Sequence, residues 1–416
     1  MAREFASRGY VVVGTRDDAD IYVLNTCTVT AEADRKVRQW LRAARRKNPS
    51  SVVVSVGCGV ERNGASLREL SDLCVGNGDK SRLVQLAESY RESQGVSCAR
   101  GDTIENPRGT SRTRTVLKVQ EGCTTFCAYC IVPSVRAGEH SVPVDDVLEL
   151  VENRVAEGYR ELVLTGTKIG VYRDGEVGLT ELLRRVLSVV GSSRIRLSSM
   201  QPRELSGGLL ELWRDSRLCP HFHLSLQSGS DSVLQRMGRA YTLAEYDAAL
   251  QLIRAAVPGC AVTTDVIVGF PGETEQEFSE SIDYCRGAGF ARMHVFPYSP
   301  RPGTRAASMG GRLSIAEMGR RVDVMDRLAQ ESLHQYAQTW LQRPVEVLWE
   351  GRYRGNGHVW SGTTGNYLHV LCESSDPLHN VIESVTPVRI DGDRVWVRRS
   401  DEGSGGCEAE LQSTRH

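Results

Sequence analysis

The sequence predicts an α/β protein in three parts: an N-terminal α/β domain, a partial barrel of six βα units, and a small C-terminal antiparallel β-barrel. Three observations carry that prediction. Between residues 115 and 338, β-branched runs alternate with amphipathic helical patterns at intervals of about 30 to 45 residues, which implies parallel strands joined by right-handed crossovers. Ahead of them stands a strand–helix–strand pattern, and after Trp340 come short strands separated by Gly, Asn and Asp turns. At roughly 100 to 200 residues per domain, 416 residues allow two to four such units.

Taken in order, Tyr10-Val11-Val12-Val13 and Ile21-Tyr22-Val23-Leu24 are two β-rich runs, the second ending in Asn25-Thr26-Cys27-Thr28. Thr30 is an N-cap, with Glu32 and Asp34 in the first turn and apolar Ala33, Val37, Leu41 and Ala44 at helical spacing, and Asn48-Pro49 stops the helix. Ser51 to Val56 is a continuous β-branched run of the kind buried in parallel sheets, halted at Gly57-Cys58-Gly59. The first domain is therefore set at 1–98, and the polar stretch 99–114, with Asn106-Pro107-Arg108-Gly109, is a linker.

Within 115–338, strands are expected at 115–120, 161–165, 194–199, 222–227, 262–268 and 292–297, with helices near 144–157, 179–190, 203–214, 243–256, 273–287 and 314–338. Function is expected at the carboxyl ends of those strands. In 339–400 the strands are Val345 to Trp349, Gly357 to Trp360, Tyr367 to Leu371, Val385 to Ile390 and Arg394 to Val397, and 401–416 reads as a disordered tail.

Forty per cent hydrophobic and 25 per cent charged residues exclude collagen, wholesale disorder and a disulfide mini-scaffold. No apolar stretch approaches the ~18 to 20 residues of a membrane span, and the first twenty residues hold no signal-peptide core, so the expectation is a cytoplasmic protein with no membrane partner. In a reducing compartment the 12 cysteines point to metal binding or catalysis wherever they cluster. A net charge of −1 is not the footprint of a generic nucleic-acid binder, so any RNA site must be local. One such place is the helix carrying Arg35, Lys36, Arg38, Arg42, Arg45, Arg46 and Lys47, for which a plain solvated helix face is the competing reading.

The densest chemistry lies at Cys123-Thr124-Thr125-Phe126-Cys127-Ala128-Tyr129-Cys130, just after the first barrel strand. Three thiolates at this spacing can hold three irons of a 4Fe-4S cube from one loop, and no fourth cysteine follows, so one iron stays open to a chelating ligand. A structural zinc knuckle is the competing reading, but such sites prefer paired CxxC elements and four ligands. At the other strand ends, Thr165-Gly166, Ser198-Ser199, Gln227-Ser228-Gly229 and the loop Gly269 to Glu273 place glycines where a backbone can approach a ligand, and polar groups that can orient it.

That cysteine spacing, with Tyr129 just before the third cysteine, resembles the radical S-adenosylmethionine superfamily. The resemblance implies that S-adenosylmethionine chelates the open iron and that reduction releases a 5′-deoxyadenosyl radical. Tyr129, Gly166, Ser199, Gln227, Ser228 and Gly269 are its candidate contacts, and Cys123, Cys127 and Cys130 the catalytic cluster ligands. Longer strings sharpen the likeness: Gln120 through Arg136, Leu224 through Met237, and His294 through Thr304 resemble the methylthiotransferase family. That family has an N-terminal α/β domain, a radical barrel and a C-terminal TRAM barrel of OB-like form.

In that family the first domain holds a second 4Fe-4S cluster through three cysteines. Asn25-Thr26-Cys27 and Gly57-Cys58 match two of the strings concerned. The family's first ligand belongs to an earlier strand with no counterpart here, so the first domain is expected to be truncated and the third ligand absent from this chain; Cys74 is expected to serve packing, and Cys98 is a weak stand-in. Asn25 to Thr30 with Lys36 and Arg38 resembles the branch acting on N6-threonylcarbamoyladenosine at position 37 of tRNA. The resemblance implies conversion to the 2-methylthio derivative. The partners it implies are the tRNA anticodon stem-loop, met by the basic helix and the C-terminal barrel, an electron donor such as flavodoxin or ferredoxin, and a sulfur donor. The alternatives are the same chemistry on isopentenyladenosine or on a ribosomal protein, and a non-thiolating protein without an intact auxiliary cluster.

Overall fold

A computed structural model describes residues 1–14, 17–95, 113–136, 138–353 and 357–400. Most of the expected linker, Cys98 and the expected tail lie outside the described residues.

The N-terminal sheet is parallel, with Val52–Val56 between Ile21–Asn25 and Leu73–Val75. Its central strand is buried at every position, as a β-branched run covered on both faces must be. The helix Ala31–Lys47 starts where Thr30 Oγ1 accepts from the Ala33 N–H (3.1 Å) and packs Val37, Leu41 and Ala44 on the sheet. Cys74 lies half-buried in that same apolar cluster, and burial pushes its thiol pKa up. Tyr10 to Val13 form no strand: Val11 to Val13 are exposed, and the run contributes Tyr10, edge-on to Phe5, instead of a sheet neighbour.

The middle of the chain is a half-barrel. Arg114–Glu121, Glu161–Gly166 and Arg194–Leu197 run parallel side by side, with the short antiparallel His140–Ser141 on the outer edge. His221–His223, Ala261–Val268 and Arg292–Pro297 form a second parallel set, and the isolated bridges Ile195 to Leu218 and Met200 to Leu224 join the two. Among the described residues the first and last strands do not pair, so the barrel is open along that side. Alternation sends Leu117, Leu162, Phe222, Val262 and Met293 outward into the helix layer. Inward positions at the amino ends, such as Glu161, Arg196, His221 and Thr263, are buried, while others stay accessible, Val116 at 65% and Phe296 at 45%.

Two expected elements are shorter. The strand expected at 222–227 pairs regularly only over His221–His223: the Thr264 hydroxyl accepts from the Leu226 N–H (2.9 Å) and donates to the Leu224 carbonyl (2.6 Å), and pairing returns only as a bridge at Gln227, where φ is +73°. The helix expected at 203–214 is broken into a 3-10 turn at Pro202–Glu204, a helix at Gly207–Leu210 and a second turn at Glu211–Arg214, as Pro202 and the Gly207-Gly208 pair favour. The helices Leu243–Ala256 and Glu275–Ala288 both open with capping boxes, Thr242 with Glu245 and Thr274 with Glu277.

Five strands, Val345–Arg352, Val359–Thr364, His369–Glu373, Ile382–Asp391 and Arg394–Arg399, close into a barrel. The barrel is antiparallel as expected at four of its seams, and His369–Glu373 and Arg394–Arg399 are parallel neighbours. An odd number of strands cannot alternate direction all the way round a closed ring, so one like-directed pair is required. This barrel seats against the amino ends of the half-barrel strands. Glu161, fully buried, bridges Arg194 (2.6 Å) and Arg196 (3.0 Å), and those guanidiniums donate to the carbonyls of Thr363, Thr364 and Gly365 at 2.7 to 3.0 Å. Tyr367, at φ +68°, stacks on His221 at 4.1 Å. Among the described residues, no helix is long and apolar enough to cross a membrane.

Candidate active site

The cysteine loop leaves the first half-barrel strand at Gly122, whose φ of +82° and close approach to the Gly138 carbonyl leave no room for a Cβ. Buried Gln120 fixes that exit, donating to the carbonyls of Glu121 (3.1 Å) and Gly122 (3.0 Å) while accepting from the Lys168 N–H (2.8 Å) of the neighbouring strand end. The loop's middle is clamped through its backbone. Ala128 N–H donates to the Met237 carbonyl (2.7 Å), and the Ala128 carbonyl accepts from Ala306 N–H (2.8 Å).

Cys127 is buried, and Cys123 and Cys130 are half-buried on the same loop. Cys123 Sγ accepts from Thr125 N–H (3.3 Å), and Cys127 Sγ receives the Arg239 guanidinium at 3.3 Å. Burial pushes the Cys130 thiol up to about 11, so a soft cation must displace its proton. Arg239 was not singled out in the sequence. It stands over the Tyr241 ring at 4.8 Å, faces Tyr129 as well as Cys127, and its Nη2 is buried without a partner. The signal for it was weak: one arginine after Gly238, 112 positions from the cysteine it meets.

Gly166 ends the second strand against the Gln120 side chain, and its N–H donates to Ser198 Oγ (3.3 Å). Ser199 is half-buried on the turn after Arg194–Leu197. Gln227, at the turn after the fourth strand, is tied to the fifth by N–H donation to the Asp265 carbonyl (2.8 Å). Gly269, φ +73°, donates its N–H to Glu273 (2.8 Å), a buried carboxylate itself held by Arg321 (3.0 Å). These strand ends all open on one mouth. Ser228 is not brought there: its buried hydroxyl faces the helix behind the sheet, 3.1 Å from Ser281 Oγ. Lys168, 4.0 Å from Glu204, adds an ion pair at the mouth that sequence reasoning passed over.

The N-terminal sheet presents its carboxyl ends to the same mouth. Cys58 Sγ receives Arg136 Nε (3.4 Å) and Asn77 Nδ2 (3.4 Å), and Arg136 also feels the exposed Cys27. Arg136, six residues past Cys130 in the sequence, also donates to Thr167 Oγ1 (2.9 Å) and pairs with Glu121 (3.6 Å), so it ties Cys58 to the strand ends that carry the cysteine loop. The contact is fixed elsewhere by Arg301, 3% exposed, which donates to Thr28 Oγ1 (2.7 Å) and Asp34 Oδ2 (2.6 Å). Ala31 N–H adds a bond to Ser299 Oγ (2.9 Å).

The donor chemistry of Cys123, Cys127 and Cys130 fits an iron–sulfur cube: three soft donors from one loop, each iron taking one thiolate, with N–H groups on two of the sulfurs. A zinc knuckle would want a fourth thiolate or imidazole, and the loop supplies three thiolates. A parallel half-barrel with such a loop at its mouth defines a radical S-adenosylmethionine enzyme. Residues 117–285 match the radical SAM superfamily, and residues 1–76 match the uncharacterized protein family UPF0004. Two solved structures of the radical S-adenosylmethionine methyltransferase TsrM from Kitasatospora setae share the fold, with TM-scores of 0.52 and 0.53 at 15% and 16% identity; each covers 74% of this chain, and the chain covers 68% and 66% of theirs.

Sequence relatives go further. The threonylcarbamoyladenosine tRNA methylthiotransferase of Bacillus subtilis is 35% identical over 92% of this chain and 88% of its own length, and that of Aquifex aeolicus 38% over 81% and 85%. The tRNA-2-methylthio-N(6)-dimethylallyladenosine synthase of Syntrophotalea carbinolica is 34% identical over 92% and 91%. The chain belongs to the radical SAM methylthiotransferase family.

Proposed function

We propose that the protein converts N6-threonylcarbamoyladenosine at position 37 of tRNA to its 2-methylthio derivative. The observation that carries this reading is Arg136, which ties Cys58, and through its charge Cys27, to Glu121 (3.6 Å) and Thr167 (2.9 Å) at the strand ends from which the cysteine loop springs, setting a sulfur-handling centre beside a radical-generating one. Cys123, Cys127 and Cys130 hold the catalytic cluster, and Cys27 and Cys58 contribute to a second. With S-adenosylmethionine bound, the cluster supplies a 5′-deoxyadenosyl radical. Gly166, Ser199, Gln227 and Gly269 shape the S-adenosylmethionine site, and Tyr129 backs the loop. Arg239 donates to the Cys127 sulfur and fixes its place on the loop. The N-terminal part roofs the mouth and keeps bulk water from it.

The C-terminal strands act as a TRAM-type barrel, and Arg38, Arg42 and Arg46, which have no ion pair among the described residues, meet stem phosphates. The other positive charges of that helix are paired: Arg45 with Asp72, Lys47 with Asp18, and Lys36 and Arg35 with Glu32. The substrate choice is supported by the relatives acting on threonylcarbamoyladenosine. The dimethylallyladenosine synthase at similar identity supports a second reading, the same chemistry on that base.

Mass spectrometry of tRNA nucleosides from cells lacking the gene, with and without the gene restored, tests the proposal. Loss of the methylthio form of threonylcarbamoyladenosine, and its return on restoration, is the expected result. Loss of the methylthio dimethylallyl form instead would move the substrate to the second reading, and no change in either would overturn both.

A further inference from the structure

The inner face of the half-barrel carries polar side chains that the chemistry above leaves unused. Alternation along the last three strands turns His223, Asp265, Arg292 and His294 inward, opposite the helix-facing Phe222, Val266 and Met293. His223 Nε2 lies 3.2 Å from Asp265 Oδ1, and the His294 ring stands 6.1 Å from the His223 ring. Among the described residues, Arg292 reaches one carboxylate, Asp393 at 3.8 Å, and makes no side-chain hydrogen bond, although its side chain is four-fifths sequestered. A guanidinium so placed keeps donors within reach of the open interior and largely free for an incoming anion. Burial depresses the proton affinity of both Arg292 and His294.

Depth and layering give the ligand its shape. Asp265 and His294 each lie three residues before the ends of their strands, Val268 and Pro297, which at ~3.3 Å per residue places them about 10 Å beneath the mouth. Above them on the same face are Ile267 and Phe296, the latter 45% exposed to the open interior. Tyr367 stacks on His221 and closes the space below. An apolar upper wall over a polar floor suits a flat base whose reacting edge points up toward the cysteine loop and whose polar substituent points down.

We propose that this floor binds the threonylcarbamoyl arm of the substrate base, with Arg292 taking its carboxylate and the His223–Asp265 pair and His294 taking its amide and hydroxyl groups, and thereby selects which modified adenosine is thiolated. This rests on the threonylcarbamoyladenosine reading above. A dimethylallyl arm offers no acceptor to Arg292 and nothing polar to the His223–Asp265 pair or His294, so it would strip water from these groups without replacing it, the arrangement by which polar sites reject an apolar analogue.

The test uses the reconstituted holoenzyme with S-adenosylmethionine, a reductant and tRNA carrying threonylcarbamoyladenosine, dimethylallyladenosine or plain adenosine at the same position. Arg292→Gln should raise KM for the threonylcarbamoyl substrate about 10- to 100-fold, the loss of one charge-assisted hydrogen-bonding partner, with a smaller effect on kcat. Preference over plain adenosine should fall in proportion. Arg292→Lys should retain part of that preference, Asp265→Asn should weaken it independently, and iron content per chain monitors folding of each. If Arg292→Gln and Asp265→Asn both keep the parent's KM and preference, the floor does not read the arm, while the substrate assignment stands. A parent enzyme that thiolates the dimethylallyl and not the threonylcarbamoyl substrate would instead overturn the assignment, and the floor's role with it.

Discussion

Replacing Glu161 with glutamine keeps the shape of the side chain and removes its charge. In the structure that carboxylate is fully buried between Arg194 and Arg196, each only 4% exposed, and those arginines hold the carbonyls of Thr363, Thr364 and Gly365. Their charges outweigh the cost of burial and hold the Glu161 carboxyl at about 2 against an ordinary 4.5. A depression of about 2.5, at about 1.4 kcal/mol each, is worth about 3 kcal/mol, in line with the cost of removing one partner of a buried ion pair. With an m-value of about 2 kcal/mol/M, the urea midpoint of the transition that releases the C-terminal barrel should drop by about 1.5 M at pH 7. Fluorescence of buried Trp349 reports it.

Because the folded-state pKa is lowered, the stabilisation is whole above pH 4.5 and fades as pH falls toward 2, so the parent should lose it over that window and the glutamine variant should not. Glu161→Leu combined with Arg194→Met and Arg196→Met removes the charges together but also the bonds to Thr363, Thr364 and Gly365, so its midpoint should fall between those of Glu161→Gln and the parent. A Glu161→Gln midpoint within about 0.3 M of the parent at pH 7 would refute the argument.

Other outcomes follow from the same geometry. Cys127→Ala should abolish S-adenosylmethionine cleavage, measured as 5′-deoxyadenosine, since two thiolates leave the cube labile; normal cleavage would sink the radical assignment. Cys58→Ala should spare that cleavage yet stop methylthio transfer and remove about half of the bound iron, and thiolated tRNA from this variant would show that Cys58 carries no cluster. Arg301→Met strands Asp34 at the contact between the N-terminal sheet and the mouth, so protease should nick the loop around Thr28 faster than in the parent, and an unchanged digestion pattern would mean the contact is held elsewhere. Converting Arg42 and Arg46 together to glutamine should lower the slope of log affinity for tRNA against log salt by about 2, whereas an unaltered slope would return that helix face to plain solvation.

Much of this was legible in the sequence because it is local. The Thr30 cap, the buried Val52–Val56 strand and the cysteine spacing each need only neighbouring residues to be understood. What escaped depends on partners far along the chain or on one backbone angle. Arg239 reaches Cys127 across 112 residues, and Ser228 is turned from the mouth by Ser281, 53 residues on. The Thr264 hydroxyl, 38 residues from the Leu226 N–H it takes, breaks a strand that composition favoured, and a positive φ at Gln227 turns the chain beyond it. The floor was half visible: His221-Phe222-His223 alternates as an inward–outward–inward strand should, but nothing local says that Arg292 and His294 lie on the same wall.

The seat of Tyr367 bears on how such proteins can be rearranged in evolution and in the laboratory. A tyrosine held at positive φ so that its ring stacks on His221 makes the C-terminal barrel part of the wall of the reaction chamber as well as an appendage. Deleting it to ask whether it grips RNA would also unseal the chamber from below. Exchanging it for the equivalent module of a relative would test the seam as much as the module. A lineage that loses or swaps this barrel must therefore refit the amino ends of its half-barrel strands, where Glu161, Arg194, Arg196 and His221 meet it, before the modularity suggested by its separate strand pattern can be realised.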